Sequence, residues 1–221
     1  MKWMVGEASL DEVQLEAIDE IVDNIGDNHW VQGFPGTGKT IVLATVINRL
    51  VASKSRLDVA FATYTHALKH MVETGLSANA RAKVHFSTLT AIRKHRGNFD
   101  VIVADEMQDI NSADLTGMLK KGESFVIAAD FDQSIYPAAA GERSLAAALK
   151  PYSQHELRTI YRINENVFNV ATSVYPDAYS PASTMFREDT SKVKLYKATS
   201  ARDEFVTMFD EAMRVATKGK P

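Results

Sequence analysis

Apolar positions near the start of the chain recur at helical spacing: Leu10, Val13, Ala17, Ile18, Ile21 and Val22 fall on one stripe. Ser9, with Glu12 three residues on, forms a capping-box pattern ahead of that stripe, and Gly26-Asp27-Asn28 closes it. The rhythm then changes. Residues 29–33 form a short strand-like run, and 40–51 are helical again. Further runs at 57–62, 83–86, 100–104 and 125–129 are short, rich in apolar residues and do not alternate with polar ones. Strands of that kind, separated by helical stretches, predict an α/β fold with a mainly parallel sheet covered by helices on both faces. Later, 193–196 reads as a strand and 201–215 as a helix with Phe205, Met208, Phe209 and Met213 on its apolar side. No repeat or low-complexity stretch interrupts the series.

Two motifs sit at the ends of predicted strands. Gly33-Phe34-Pro35-Gly36-Thr37-Gly38-Lys39-Thr40 matches G-x-x-x-x-G-K-[ST], the P-loop. Its glycines allow backbone N–H groups to turn toward a polyphosphate, Lys39 reaches the outer phosphates, and Thr40 offers a hydroxyl to Mg²⁺. It leaves a strand and opens a helix, as that chemistry requires. Asp105 and Glu106 follow Val101-Ile102-Val103-Ala104, so in a parallel sheet they share an edge with the P-loop. There Asp105 suits the metal and Glu106 an attacking water. The expected chemistry is nucleoside-triphosphate hydrolysis with Mg²⁺ as the metal.

Composition adds bounds. Of 221 residues, 45% are hydrophobic and 24% charged, ordinary for a globular protein. A net charge of -3 is not that of a general nucleic-acid binder, so such binding needs a local patch. With no cysteine, disulfides and thiol-based zinc sites are excluded. His66 and His70 have a helical metal-ligand spacing, but no third ligand is evident. The first residues lack a signal-peptide core and no apolar run is long enough for a bilayer, so the expected location is the cytoplasm, without a membrane partner. No Asn-Lys pair of the kind GTPases use for guanine occurs.

The order of further motifs resembles the amino-terminal part of superfamily-one helicases of the UvrD/PcrA/Rep group. The resemblance covers roughly residues 10–167. The segment from Leu10 to Ile18 is similar to the Q motif, which implies that Gln14 reads the adenine edge and that the nucleotide is ATP. Ala62-Thr63-Tyr64-Thr65-His66-Ala67-Leu68 and His85-Phe86-Ser87-Thr88-Leu89 resemble motifs Ia and Ib, implying contacts from Thr63, Tyr64 and His85 to single-stranded DNA, with RNA not excluded. Asp105-Glu106-Met107-Gln108-Asp109 matches motif II. Asp130-Phe131-Asp132-Gln133-Ser134-Ile135-Tyr136 matches motif III, where Gln133 senses the γ-phosphate and Tyr136 approaches DNA. Leu157-Arg158-Thr159-Ile160-Tyr161-Arg162 resembles motif IV, implying that Tyr161 packs on the base and Arg162 reaches the γ-phosphate.

On this reading Glu106, Lys39, Gln133 and Arg162 are catalytic, and Thr40 and Asp105 hold the metal. Gln14, the P-loop from Gly33 to Thr40, and Tyr161 bind nucleotide. The chain also departs from the family. Ile41 stands where many relatives carry an arginine beside the base, and Pro137-Ala138-Ala139-Ala140 replaces a stacking aromatic and an arginine. Arg93-Lys94-His95-Arg96 is a basic cluster in a short connection, with Arg93, Lys94 and Arg96 candidates for phosphate contact. Residues 1–188 form the expected RecA-like domain, and 189–221 resemble the opening of a second one. The later motifs have no counterpart, so an incomplete motor is expected, completed by a second RecA-like domain or a partner protein. The alternative is a nucleotide-dependent regulatory module without unwinding activity.

Overall fold

The computed structural model describes residues 3–54, 56–174 and 197–216. The sheet strands are β1 (Asn28–Gly33), β2 (Val59–Thr63), β3 (His85–Thr88), β4 (Phe99–Ala104), β5 (Gly122–Ala129) and β6 (Tyr152–Leu157). All pair in parallel in the order β3-β2-β4-β5-β1-β6. The central strands explain their own placement. Val101, Ile102, Val103 and Ala104 of β4 are all buried, as a strand covered on both faces demands.

One face is covered by α1 (Glu12–Asp23), α2 (Lys39–Ser53), α3 (His66–Gly75) and α4 (Ala78–Lys83), which bury Ile18, Leu43, Ile47, Val72 and Ala80 against Val31, Phe61 and Val103. The other face is covered by α5 (Leu89–Ile92), α6 (Ser112–Leu119) and α7 (Glu142–Leu149), whose Ile92, Leu115, Met118 and Leu145 enclose Trp30, Ile102 and Ile127. Helices α8 (Glu165–Val174) and α9 (Ala201–Ala216) follow. The fold is therefore the doubly covered parallel α/β sheet that the apolar runs predict.

Two local expectations change. Helix α1 is capped by Asp11, not Ser9: the Asp11 carboxylate accepts the Gln14 N–H at 2.7 Å, and the Gln14 side-chain oxygen accepts the Asp11 N–H at 3.2 Å. Ser9 ends a 3₁₀ turn at Glu7–Ser9, and Leu10 lies outside the helix. Aspartate here supplies a reciprocal box that the Ser9–Glu12 pair does not. Strand β6 was not expected, because an edge strand with Ser153, Gln154 and Glu156 has little apolar signal. The predicted strand at 193–196 lies outside the described residues, while the predicted terminal helix is α9.

Candidate functional site

Strand order assembles the site. Strands β2, β4, β5, β1 and β6 are consecutive neighbours, so the loops leaving their carboxyl ends form one continuous rim. That rim carries Tyr64, then Asp105 and Glu106, then the loop at 130–140, then the P-loop, then Tyr161 and Arg162.

The P-loop bends through left-handed glycines: Gly36 has φ 87° and Gly38 φ 90°. A Cβ at Gly38 would stand 2.6 Å from the Gln14 side-chain nitrogen, and one at Gly36 2.8 Å from Cβ of Arg162. Only glycine lets the loop pass between α1 and the segment after β6. Gln14 Nε2 donates to the Thr37 carbonyl at 2.9 Å, and the Tyr161 N–H donates to the Gly36 carbonyl at 2.9 Å. Thr37 is buried, its hydroxyl donating to the Phe34 carbonyl at 2.9 Å.

Lys39 Nζ donates to the carbonyls of Gly33 at 2.5 Å and Phe34 at 3.3 Å, and lies 3.6 Å from Asp130. Burial holds its ammonium below the ordinary lysine range, opposed by Asp130, Asp105 and Glu106. The Thr40 hydroxyl, one residue on, donates to Asp105 at 2.7 Å. Burial, then the neighbouring Glu106 charge, pushes the Asp105 carboxyl up to about 6, opposed by the Thr40 hydrogen bond.

Glu106 adopts φ 58°, ψ 41°, the left-handed region that a non-glycine residue seldom enters. The chain thereby turns sharply out of β4. Gln108 Nε2 donates to Glu106 Oε2 at 2.6 Å, and Gln108 Oε1 accepts the Asp130 N–H at 3.2 Å. Gln133 Nε2 donates to Asp130. Tyr161 donates its hydroxyl to the Asp11 carboxylate; burial and that bond push the phenol up to about 12. Thus Lys39, Thr40, Asp105, Glu106, Gln108, Asp130, Gln133, Gln14, Tyr161 and Arg162 converge on one rim. A cavity of about 500 Å³ includes Lys39, Thr40, Glu106, Gln133 and Arg162 in its lining.

Asp130 and Gln108 had no individual role in the sequence reading. Both sit inside quoted motifs, and the usable signal was a polar residue directly beyond a buried strand. Gln108 is itself 3% exposed, an unusual place for an amide without partners.

The candidate polymer contacts divide. Tyr64 and Tyr136 are exposed and pack together at the site rim, rings 4.9 Å apart. Thr63 is buried, 1% exposed, and does not present its side chain to the surface. His85 begins β3, at the opposite edge of the sheet from the P-loop, where it packs against His95 and Phe99. Desolvation and the nearby His95 and Lys69 lower its pKa. Arg93 pairs with buried Asp114 at 2.8 Å, bracing α5 against α6. Lys94 and Arg96 are exposed in the connection between α5 and β4. The motif Ib and basic-cluster candidates are therefore not grouped with the tyrosines: His85 opens β3 and packs on His95 and on Phe99 at the start of β4, whereas Tyr64 leaves the carboxyl end of β2.

A parallel sheet with a P-loop at the carboxyl edge of β1 defines a RecA-like P-loop NTPase fold. The family model described as an AAA domain matches residues 14–139, more than half of the chain, and the chain belongs to that family. Among solved structures, it is similar to the helicase of PRRSV (19% identity, 86% of this chain and 43% of that one, TM-score 0.51). It is also similar to an arterivirus nonstructural protein 10 helicase in complex with DNA (15% identity, 83% and 47%, TM-score 0.51). The UvsW helicase of bacteriophage T4 is a third (10% identity, 71% and 64%, TM-score 0.51). The chain spans about half the length of the first two. No curated protein matches it. Among the described residues, no helix is long and apolar enough to cross a membrane.

Proposed function

We propose that this chain is the ATP-binding and ATP-hydrolysing domain of a UvrD-like superfamily-one DNA helicase. The observation that carries the reading is the 2.7 Å contact between the Thr40 hydroxyl and Asp105, made beside Glu106 and the P-loop. Hydroxyl and carboxylate oxygens are the donors a hard cation prefers, and two crowded carboxylates carry a charge penalty that a cation relieves. The donor set thus fits Mg²⁺, held by Thr40 and Asp105. When bound, the ion supplies charge neutralisation to the phosphate tail.

The chain's own groups do the rest. Backbone N–H groups of the glycine bend hold the phosphates, and Lys39 leaves its carbonyl partners to neutralise them. Gln108 fixes Oε2 of Glu106, leaving Oε1 to accept the proton of an attacking water. Gln133 and Arg162 line the same cavity, the arginine adding charge where it develops. Gln14 and Tyr161 bound the nucleotide site, and single-stranded DNA lies across the rim at Tyr64 and Tyr136. Residues 189–221 open a second RecA-like domain; the exposed Phe205, Met208 and Phe209 of α9 support that reading, since such a face ordinarily packs on a neighbour.

The test is Glu106→Gln. Calorimetry is expected to find Mg-ATP binding retained, while phosphate release falls by about 10²- to 10⁴-fold, the usual share of a general base. Unchanged turnover removes Glu106 from the base role, and no uptake of Mg-ATP by the wild-type chain removes the reading.

A further inference from the structure

The cavity that holds the P-loop groups is also lined by apolar Trp3, Val5, Leu10, Ile41 and Met71. Trp3 belongs to the leading segment, ahead of every motif, and its position follows from its anchoring. The indole Nε1 donates to Thr74 Oγ1 at 3.2 Å. The ring lies over Gly75 at the end of α3, where an added Cβ would come within 2.2 Å of it. Its apolar side also packs on the edge of the core beneath α1 and α2.

We propose that Trp3 is a base-contacting residue of this site, its indole forming a wall against which the ring of a bound nucleotide packs. The proposal rests on the nucleotide reading above and adds to it the residue that grips the base. Two features carry it. One cavity is lined both by Lys39, Thr40, Glu106 and Arg162 and by aromatic and aliphatic side chains, the two kinds of partner that the tail and the base of a nucleoside triphosphate require. Ile41 also contributes no charge to this lining, so an apolar or aromatic face is the available means of holding a planar ring. Glycine at position 75 is then part of the site at one remove, because it lets the indole sit flat against α3.

The experiment compares Mg-ATP with magnesium tripolyphosphate, which carries the phosphate tail without a base, binding to the full chain by calorimetry. Trp3→Ala is expected to weaken ATP binding about ten- to a hundredfold, the usual effect of removing an aromatic partner from a base, and to leave tripolyphosphate binding unchanged. Trp3→Phe keeps a ring without the Thr74 bond and should retain most of the ATP affinity. The chain has two tryptophans, and Trp30 is buried under the opposite face of the sheet. An ATP-dependent change in indole emission is therefore expected from wild type and lost in Trp3→Phe. Unchanged ATP affinity in Trp3→Ala overturns the proposal, as does equal weakening toward both ligands. Wild-type protein that binds neither ligand overturns the nucleotide reading itself, and the base wall with it.

Discussion

Gln108 does the most connecting for a single side chain. It donates to the Glu106 carboxylate with its nitrogen and accepts the Asp130 N–H with its oxygen, while its backbone carbonyl accepts the Ser134 hydroxyl at 3.3 Å. Two rim residues thus depend on one buried side-chain amide, and a third on the backbone beside it. Gln108→Ala frees the Glu106 carboxylate to rotate and leaves the Asp130 N–H unpaired, a loss of about 1–3 kcal/mol in stability. Turnover should fall by roughly tenfold or more because positioning of the proton acceptor is lost, with little change in ATP affinity. Stopped-flow phosphate release alongside denaturant unfolding separates the two effects; a fall in affinity without a fall in turnover would refute the positioning role.

At the scale of elements, β1 and β6 meet α1 through two buried histidines. His29 Nδ1 and His155 Nε2 are 3.1 Å apart, and His29 Nε2 is 2.9 Å from the Asn24 carbonyl. The carbonyl only accepts, so His29 carries its proton on Nε2 and accepts from His155. Glu20 of α1 lies 3.8 Å from His155 Nδ1. Burial lowers the His155 pKa below its ordinary 6.5; Glu20 opposes this and His29 adds to it. A depressed histidine pKa means that the unfolded chain binds more protons as pH falls below about 6.5, so stability is full above that value and declines beneath it. The thermal midpoint should drop between pH 7 and 5.5, and His155→Gln should flatten that slope. An unaltered slope would show that the pair does not govern it.

This corner also marks how far the sequence was legible. Strand β4 declared itself because every one of Val101 to Ala104 is apolar, the signature of burial on both faces. Strand β6 did not, since its ladder partners are backbone groups of β1 and its side chains are half polar. The P-loop and the acids after β4 were readable because their chemistry is local in sequence. That Tyr64, leaving the carboxyl end of β2, joins Tyr136 while His85 opens the neighbouring strand β3 depends on strand order and register, which no local pattern encodes.

Over the whole molecule, the described surface offers one aromatic pair at the rim of the site, Tyr64 with Tyr136, beside the fully exposed Ile135 at 78%. With a net charge of -3, general electrostatic attraction to nucleic acid is weak, so stacking must carry much of any strand binding. Replacing both tyrosines by alanine should weaken single-stranded DNA binding by about 1–3 kcal/mol per stacked base lost, measured by fluorescence anisotropy, and leave Mg-ATP binding intact. Equal DNA affinity in the double variant would direct attention to Lys94 and Arg96.

Past Tyr136, its loop is fastened to the segment after Glu106 through main-chain atoms: the Ala140 N–H donates to the Ile110 carbonyl at 2.7 Å, and Asn111 bridges Ala139. Because main-chain atoms make these links, substitution at Ile110 or Ala140 leaves the donors and acceptors in place. Loop length is what the arrangement cannot tolerate: one added residue between Tyr136 and Ala139 would shift the amides out of step and separate the aromatic rim from the hydrolytic acids, although every side chain remained.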